Sequence, residues 1–157
     1  MVGVENETYD WVYSSHCLED LSEPSVGIKN WWRLVKPDGY LIIFVPHRDL
    51  LEHKKTLPAC TNINHQWYFL PDRHDPPVTL GLLLFIQENL NDYELIYIKK
   101  CDENYSCEFI PDNRFEGGFL SYVLGEQSIE LVIRKNGTST IYLETYNGQG
   151  GKIPYDR

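Results

Sequence analysis

The chain has 157 residues, 42% hydrophobic and 13% aromatic, enough to bury the core of one globular domain and too apolar for a disordered segment. Its 14 basic against 23 acidic side chains give a formal charge of -9, which opposes the phosphate attraction behind non-specific nucleic-acid binding. The longest apolar run, Leu80–Ile86, is far short of the ~20 residues a membrane span needs, so neither nucleic acid nor membrane is an expected partner.

Met1–Asp10 lacks the basic region and apolar run of a secretory signal, and a cytoplasmic location is the expectation. Cys17, Cys60, Cys101 and Cys107 are then reduced thiols, and five residues between Cys101 and Cys107 fit no metal-knuckle spacing.

Along the chain, Tyr9–Ser15 is a β-prone run with apolar residues on both faces, the pattern of an interior parallel strand. Ser22, Glu23 and Pro24 signal a helix start with a capping side chain. Ile28, Trp31, Trp32 and Val35 then recur at helical spacing, so the two tryptophans read as core packing and not as a stacking platform. Lys36-Pro37-Asp38-Gly39 stops the helix, and Tyr40–Val45 follows as the most apolar strand candidate. Strand, helix and strand make a βαβ unit with the two strands parallel.

Residues 46–75 form a long loop or lid containing four histidines, His47, His53, His65 and His74. A second helix is expected from about Pro77 to Leu90, capped by Asp75 or Thr79, with Val78, Leu82, Phe85 and Ile86 on one face. A strand at Tyr93–Lys99 comes next. Residues 102–127 carry no readable element beyond a bend at Gly117-Gly118. Ser128–Arg134 is a strand with Ile129, Leu131 and Ile133 on one face, turned by Asn136-Gly137 into Thr140–Thr145. Residues 146–157 read as a flexible tail, and no internal repeat or linker splits residues 1–157 into more than one domain.

Two of these segments carry a resemblance. Tyr9-Asp10-Trp11-Val12-Tyr13-Ser14-Ser15-His16-Cys17-Leu18-Glu19-Asp20-Leu21 resembles the fourth-strand motif of class I S-adenosylmethionine-dependent methyltransferases, especially those acting on small molecules. Trp32-Arg33-Leu34-Val35-Lys36-Pro37-Asp38-Gly39-Tyr40-Leu41-Ile42-Ile43 is similar to the family's helix-turn-strand signature, in register with the first motif. Asp20 stands where the family often has His, and Asp38 replaces the first Gly of the turn. The glycine-rich loop that brings the cofactor to a helix N-terminus has no counterpart in the eight residues before Tyr9.

The resemblance implies an α/β fold: an incomplete Rossmann-like methyltransferase domain, its C-terminal half, with a mainly parallel sheet and an antiparallel final strand or hairpin. It implies S-adenosylmethionine as cofactor, a small-molecule acceptor, and a pocket at the carboxyl ends of the parallel strands. Ser14, Ser15 and His16 would border the cofactor, with His16 as general base, and His47 and Arg48 would orient the acceptor. Methyl transfer from a sulfonium needs no metal. The Tyr9–Ser15 strand would expose an apolar edge, through which a homo-oligomer or a complementing methyltransferase chain would form.

Two other readings stand beside this one. The first is a non-catalytic binding or regulatory partner of an intact methyltransferase. The second is a metal-dependent hydrolase built on His53, His65 and His74 with Asp72 or Asp75, although no two of these histidines share helical i, i+4 spacing.

Overall fold

The computed structural model describes residues 3–59, 61–111 and 119–137, without the side chains of residues 109–123. The expected strand Thr140–Thr145, the tail 146–157, the Gly117-Gly118 bend and Cys60 lie outside the described residues. The chain opens with β1 (Tyr9–Ser15), a 3-10 turn (Leu18–Asp20), α1 (Pro24–Leu34) and β2 (Val35–Pro46). Then come α2 (Arg48–Leu51), β3 (Tyr68–Leu70), β4 (Thr79–Gly81), α3 (Leu82–Asn89), β5 (Tyr93–Cys101), β6 (Ser106–Pro111), β7 (Phe119–Leu124) and β8 (Ser128–Lys135).

The main sheet has the order β1-β2-β8-β5. β1 and β2 are parallel, as the βαβ reading requires. β8 runs antiparallel to both β2 and β5, so it is the one reversed strand and sits between two that share a direction. This is the α/β, Rossmann-like arrangement that the two motifs imply, with the final described strand inserted antiparallel.

Register decides which side chains make the core. Leu41, Ile43 and Val45 face Ile133, Leu131 and Ile129 across the ladder, and all six are completely buried. Ile28 of α1 and Leu82, Phe85 and Ile86 of α3 complete that layer. Trp32 packs edge-on against Tyr93 at 6.4 Å with the Lys135 ammonium above its ring, which agrees with a core role. On the opposite face Trp11 pairs with Tyr40, and Tyr13, Ile42, Val132 and Tyr97 form one row; Trp11 is 64% and Tyr13 54% exposed.

The structure corrects several expectations. β1 is not interior: among the described residues it pairs with β2 alone, and only Ser14 along it is buried. Its two-sided apolar pattern reflects one face packed on the core and another uncovered. The capping residue of α1 is Glu23, without a side-chain capping bond. α1 ends at Leu34, and Val35, the last residue of its apolar stripe, already pairs with Tyr9 in β2.

The second helix starts at Leu82, not near Pro77, because Thr79–Gly81 is drawn into a short parallel ladder with β3. Neither Asp75 nor Thr79 caps it; both accept hydrogen bonds from Arg48. Residues 46–75 include α2 and β3, and residues 102–127 contain the antiparallel pair β6–β7.

At the turn between α1 and the apolar part of β2, Asp38 adopts φ +64°, the left-handed region that explains why the resembling motif carries glycine there. Asp tolerates this conformation, and its carboxylate pairs with Arg134 on β8. Asp38→Gly is therefore expected to stay within about 1 kcal/mol of the parent, while Asp38→Val costs about 2 kcal/mol through a β-branched residue at positive φ. Urea denaturation of both variants measures this, and equal stability of the two would contradict the strain argument.

Candidate functional site

The carboxyl ends of β1 and β2 lie side by side, since Ser15 pairs with Phe44 and the His16 amide donates to the Phe44 carbonyl at 3.0 Å. β5 points the same way, and the His47 amide donates to the Gln127 carbonyl at 2.7 Å just before β8 starts. Residues 14–16, 46–48 and the segments after β2 and β5 therefore gather at one end of the sheet.

Strand alternation sends Ser14 and Ser15 to opposite faces. Ser14 is buried on the helix side, and its Oγ has no hydrogen-bond partner among the described residues; Ser15 is exposed. His16 follows at φ +48°, its ring edge-on to Phe44 at 5.7 Å. Its side chain is 51% exposed, and its Nδ1 lies 3.3 Å from Oε1 of Glu19, close enough for an ion pair but not aligned as a hydrogen bond.

Glu19 is the residue that sequence reasoning missed. It is 1% exposed, and neither carboxylate oxygen has a hydrogen-bond partner among the described residues. Burial therefore raises its pKa above the ordinary glutamate value, opposed by the positive charge that His16 and His65 carry when protonated. Its place in the first motif was the available signal, but burial of an acid in a 3-10 turn has no sequence signature. Its backbone carbonyl receives the amides of Gln66 and Trp67, tying the long segment to this turn.

Around α2, His47 is buried, and its Nδ1 accepts from the Asp49 amide at 3.2 Å, which leaves a ring proton for Nε2 in the neutral form. Desolvation lowers its pKa. Arg48 is 3% exposed; its Nε donates to Asp49, and one terminal nitrogen donates to Asp75 and Thr79. Hydrogen bonds from Arg48 hold the carboxyls of Asp49 and Asp75 below the usual range. The fork expected to meet an acceptor thus clamps 46–49 to 75–79.

The remaining histidines have separate partners. His65 Nδ1 lies 2.8 Å from the Glu52 carboxylate, which also receives the Thr61 hydroxyl. His74 takes the Gly81 amide and faces Glu88. His53 faces Tyr105 and Cys107. Among the described residues no group of three or more His, Cys, Asp or Glu side chains is placed to hold a metal, and no helix is long and apolar enough to cross a membrane.

The comparisons agree with the sequence resemblance. A family model described as "Methyltransferase domain" matches residues 1–43, the stretch that ends with the second motif. A search of curated proteins gives no significant match. Among solved structures, a protein of Bacillus halodurans described as a methyltransferase aligns at TM-score 0.51 and 10% identity, over 87% of this chain and 68% of its own. The YcgJ protein of Bacillus subtilis gives 0.51 at 9% identity, over 87% and 68%. A structure concerned with conversion of a disulfide into a thioacetal in echinomycin biosynthesis gives 0.50 at 12%, over 88% of this chain but 54% of that one. The chain thus carries a methyltransferase-like fold while spanning roughly half to two thirds of the length of these structures.

Two outcomes are expected at this site. Arg48→Ala removes three charge-assisted or buried bonds and costs about 2–3 kcal/mol, with Arg48→Lys recovering only part, as urea denaturation would report. A parental midpoint for Arg48→Ala would contradict the clamp. For Glu19, a raised folded pKa means the native state holds a proton that the unfolded state has released, so its contribution weakens as pH rises from about 4.3 toward the raised value. Glu19→Gln should lose less stability than the parent over that rise; parallel pH-stability curves would show that its carboxyl is not buried in the ionised cost assumed here.

Proposed function

We propose that this chain, with its class I methyltransferase fold, forms the acceptor-side half of an S-adenosylmethionine-dependent methyltransferase that acts on a small molecule. The observation that supports the reading most directly is His16. It is half exposed at the carboxyl end of a parallel strand, with its Nδ1 beside a buried carboxylate and its Nε2 left for an incoming group. In this reading the Glu19 carboxyl stands at ion-pair distance from the ring, and Nε2 takes the proton from the acceptor's nucleophile.

Ser14, Ser15 and His16 fit the wall of a cofactor pocket: two hydroxyls and an imidazole at a strand end, one hydroxyl buried and without a hydrogen-bond partner among the described residues. In a fold of this kind the main grip is a Gly-x-Gly loop at a helix N-terminus, a part that these three residues do not play. S-adenosylmethionine, when bound, supplies an electrophilic methyl group on sulfur; the chain's part is to orient the acceptor, exclude water and receive a proton. Arg48 positions the acceptor wall through its clamp, and His47 presents Nε2–H from a buried ring. The free thiols of Cys17, Cys101 and Cys107 support a cytoplasmic location.

The outer edge of β1, unpaired among the described residues and with Trp11 and Tyr13 exposed, supports a partner that completes the sheet, either a second copy or a complementing methyltransferase chain. One rival reading is a non-catalytic partner of an intact enzyme. The two separate by experiment: mixing with a complementing chain would give methyl transfer that depends on His16 in the first case, whereas the activity of an intact enzyme mixed with this chain would be unchanged by His16→Ala in the second.

The isolated chain is expected to bind S-adenosylmethionine weakly or not at all in calorimetric titration and to self-associate in sedimentation experiments. A micromolar dissociation constant for the chain alone would overturn the view that the main cofactor grip lies elsewhere.

A further inference from the structure

The segment after β2 and the segment after β5 meet at three side chains. The Tyr105 hydroxyl lies 3.1 Å from the Leu50 carbonyl and 3.3 Å from Nε2 of His53, and the Cys107 sulfur lies 3.5 Å from the same nitrogen. His53 holds φ +51°, an uncommon conformation for a residue with a side chain, and there its ring faces both groups. Cys107 is part-exposed.

Proton placement follows from these contacts. The Tyr105 hydroxyl hydrogen is donated to Leu50, because a carbonyl can only accept. Burial, and next the neighbouring Cys107, raise the Tyr105 pKa, so the phenol keeps that hydrogen. Toward His53 its oxygen can then only accept, which places a proton on Nε2, and that N–H also faces the Cys107 sulfur.

We propose that Cys107 is a reactive thiol, a site of modification by peroxides, with the His53 Nε2–H directed at its sulfur and Tyr105 fixing the ring. The thiol proton passes to solvent while the Nε2–H steadies the thiolate, and the sulfur attacks one peroxide oxygen. The O–O bond breaks, and the departing hydroxide takes a proton from solvent and leaves as water. The sulfur is oxidised to a sulfenic acid and the peroxide is reduced. The other described thiols lack such a partner: Cys17 stands near the acids Glu19 and Asp20, and Cys101 is buried on β5, and in both cases burial is the first cause holding the thiol protonated. This proposal does not rest on the methyltransferase reading.

The test is peptide-resolved mass spectrometry of the purified chain after hydrogen peroxide in the presence of dimedone, which traps sulfenic acids. Cys107 should be labelled about tenfold faster than Cys17 or Cys101, and His53→Asn, which tolerates positive φ, should remove most of that advantage. His53→Gly serves as a second variant, with circular dichroism to establish that each is folded. Labelling of Cys17 as fast as Cys107, or a Cys107 rate unchanged in both folded variants, would overturn the proposal.

Discussion

The structure depends on the insertion of β8 between β2 and β5. Ile129, Leu131 and Ile133 are fully buried on one face of that strand, and both of its edges are occupied by hydrogen-bonded neighbours. Because it runs against β2 and β5, it closes the sheet without a crossover helix on that side. The carboxyl ends of β2 and β5 are thereby held at a fixed spacing. The His47–Gln127 bond, the Arg48 clamp and the Tyr105–Leu50 contact all sit on that frame.

Charges organise the rest. Arg48 is enclosed and answered by two carboxylates and a hydroxyl, whereas the Glu19 carboxyl is enclosed without a hydrogen-bond partner among the described residues. An unsatisfied buried acid is costly, and proteins retain such groups where they act on a neighbour or a ligand. The imidazole of His16 lies 3.3 Å from the Glu19 carboxyl.

Most of the fold was legible in the sequence, for identifiable reasons. β1, α1, β2, α3 and β8 carry their periodicities openly; the strand-helix-strand order predicted the parallel pair, and the order of the downstream elements in the resembling fold predicted an antiparallel last strand. The edge position of β1 was misread because tertiary cover, not the pattern, decides whether a two-sided apolar strand is interior. The start of α3 was misread because Thr79 and Asp75 are drawn to Arg48, about thirty residues away along the chain, and a long-range hydrogen bond leaves no local trace. The site was legible only where the motif names it: the positions of residues 14–16 followed, while the burial of Glu19 and the His53 cluster are products of packing.

Amide hydrogen exchange of the isolated chain at two protein concentrations tests the β8-anchored sheet and the proposal that a partner pairs with its β1 edge. The account predicts that β8 and β2 amides exchange most slowly and that the outward amides of β1 are unprotected at low concentration, gaining protection as concentration rises. Concentration-independent protection of those β1 amides, equal to that of β8, would contradict it.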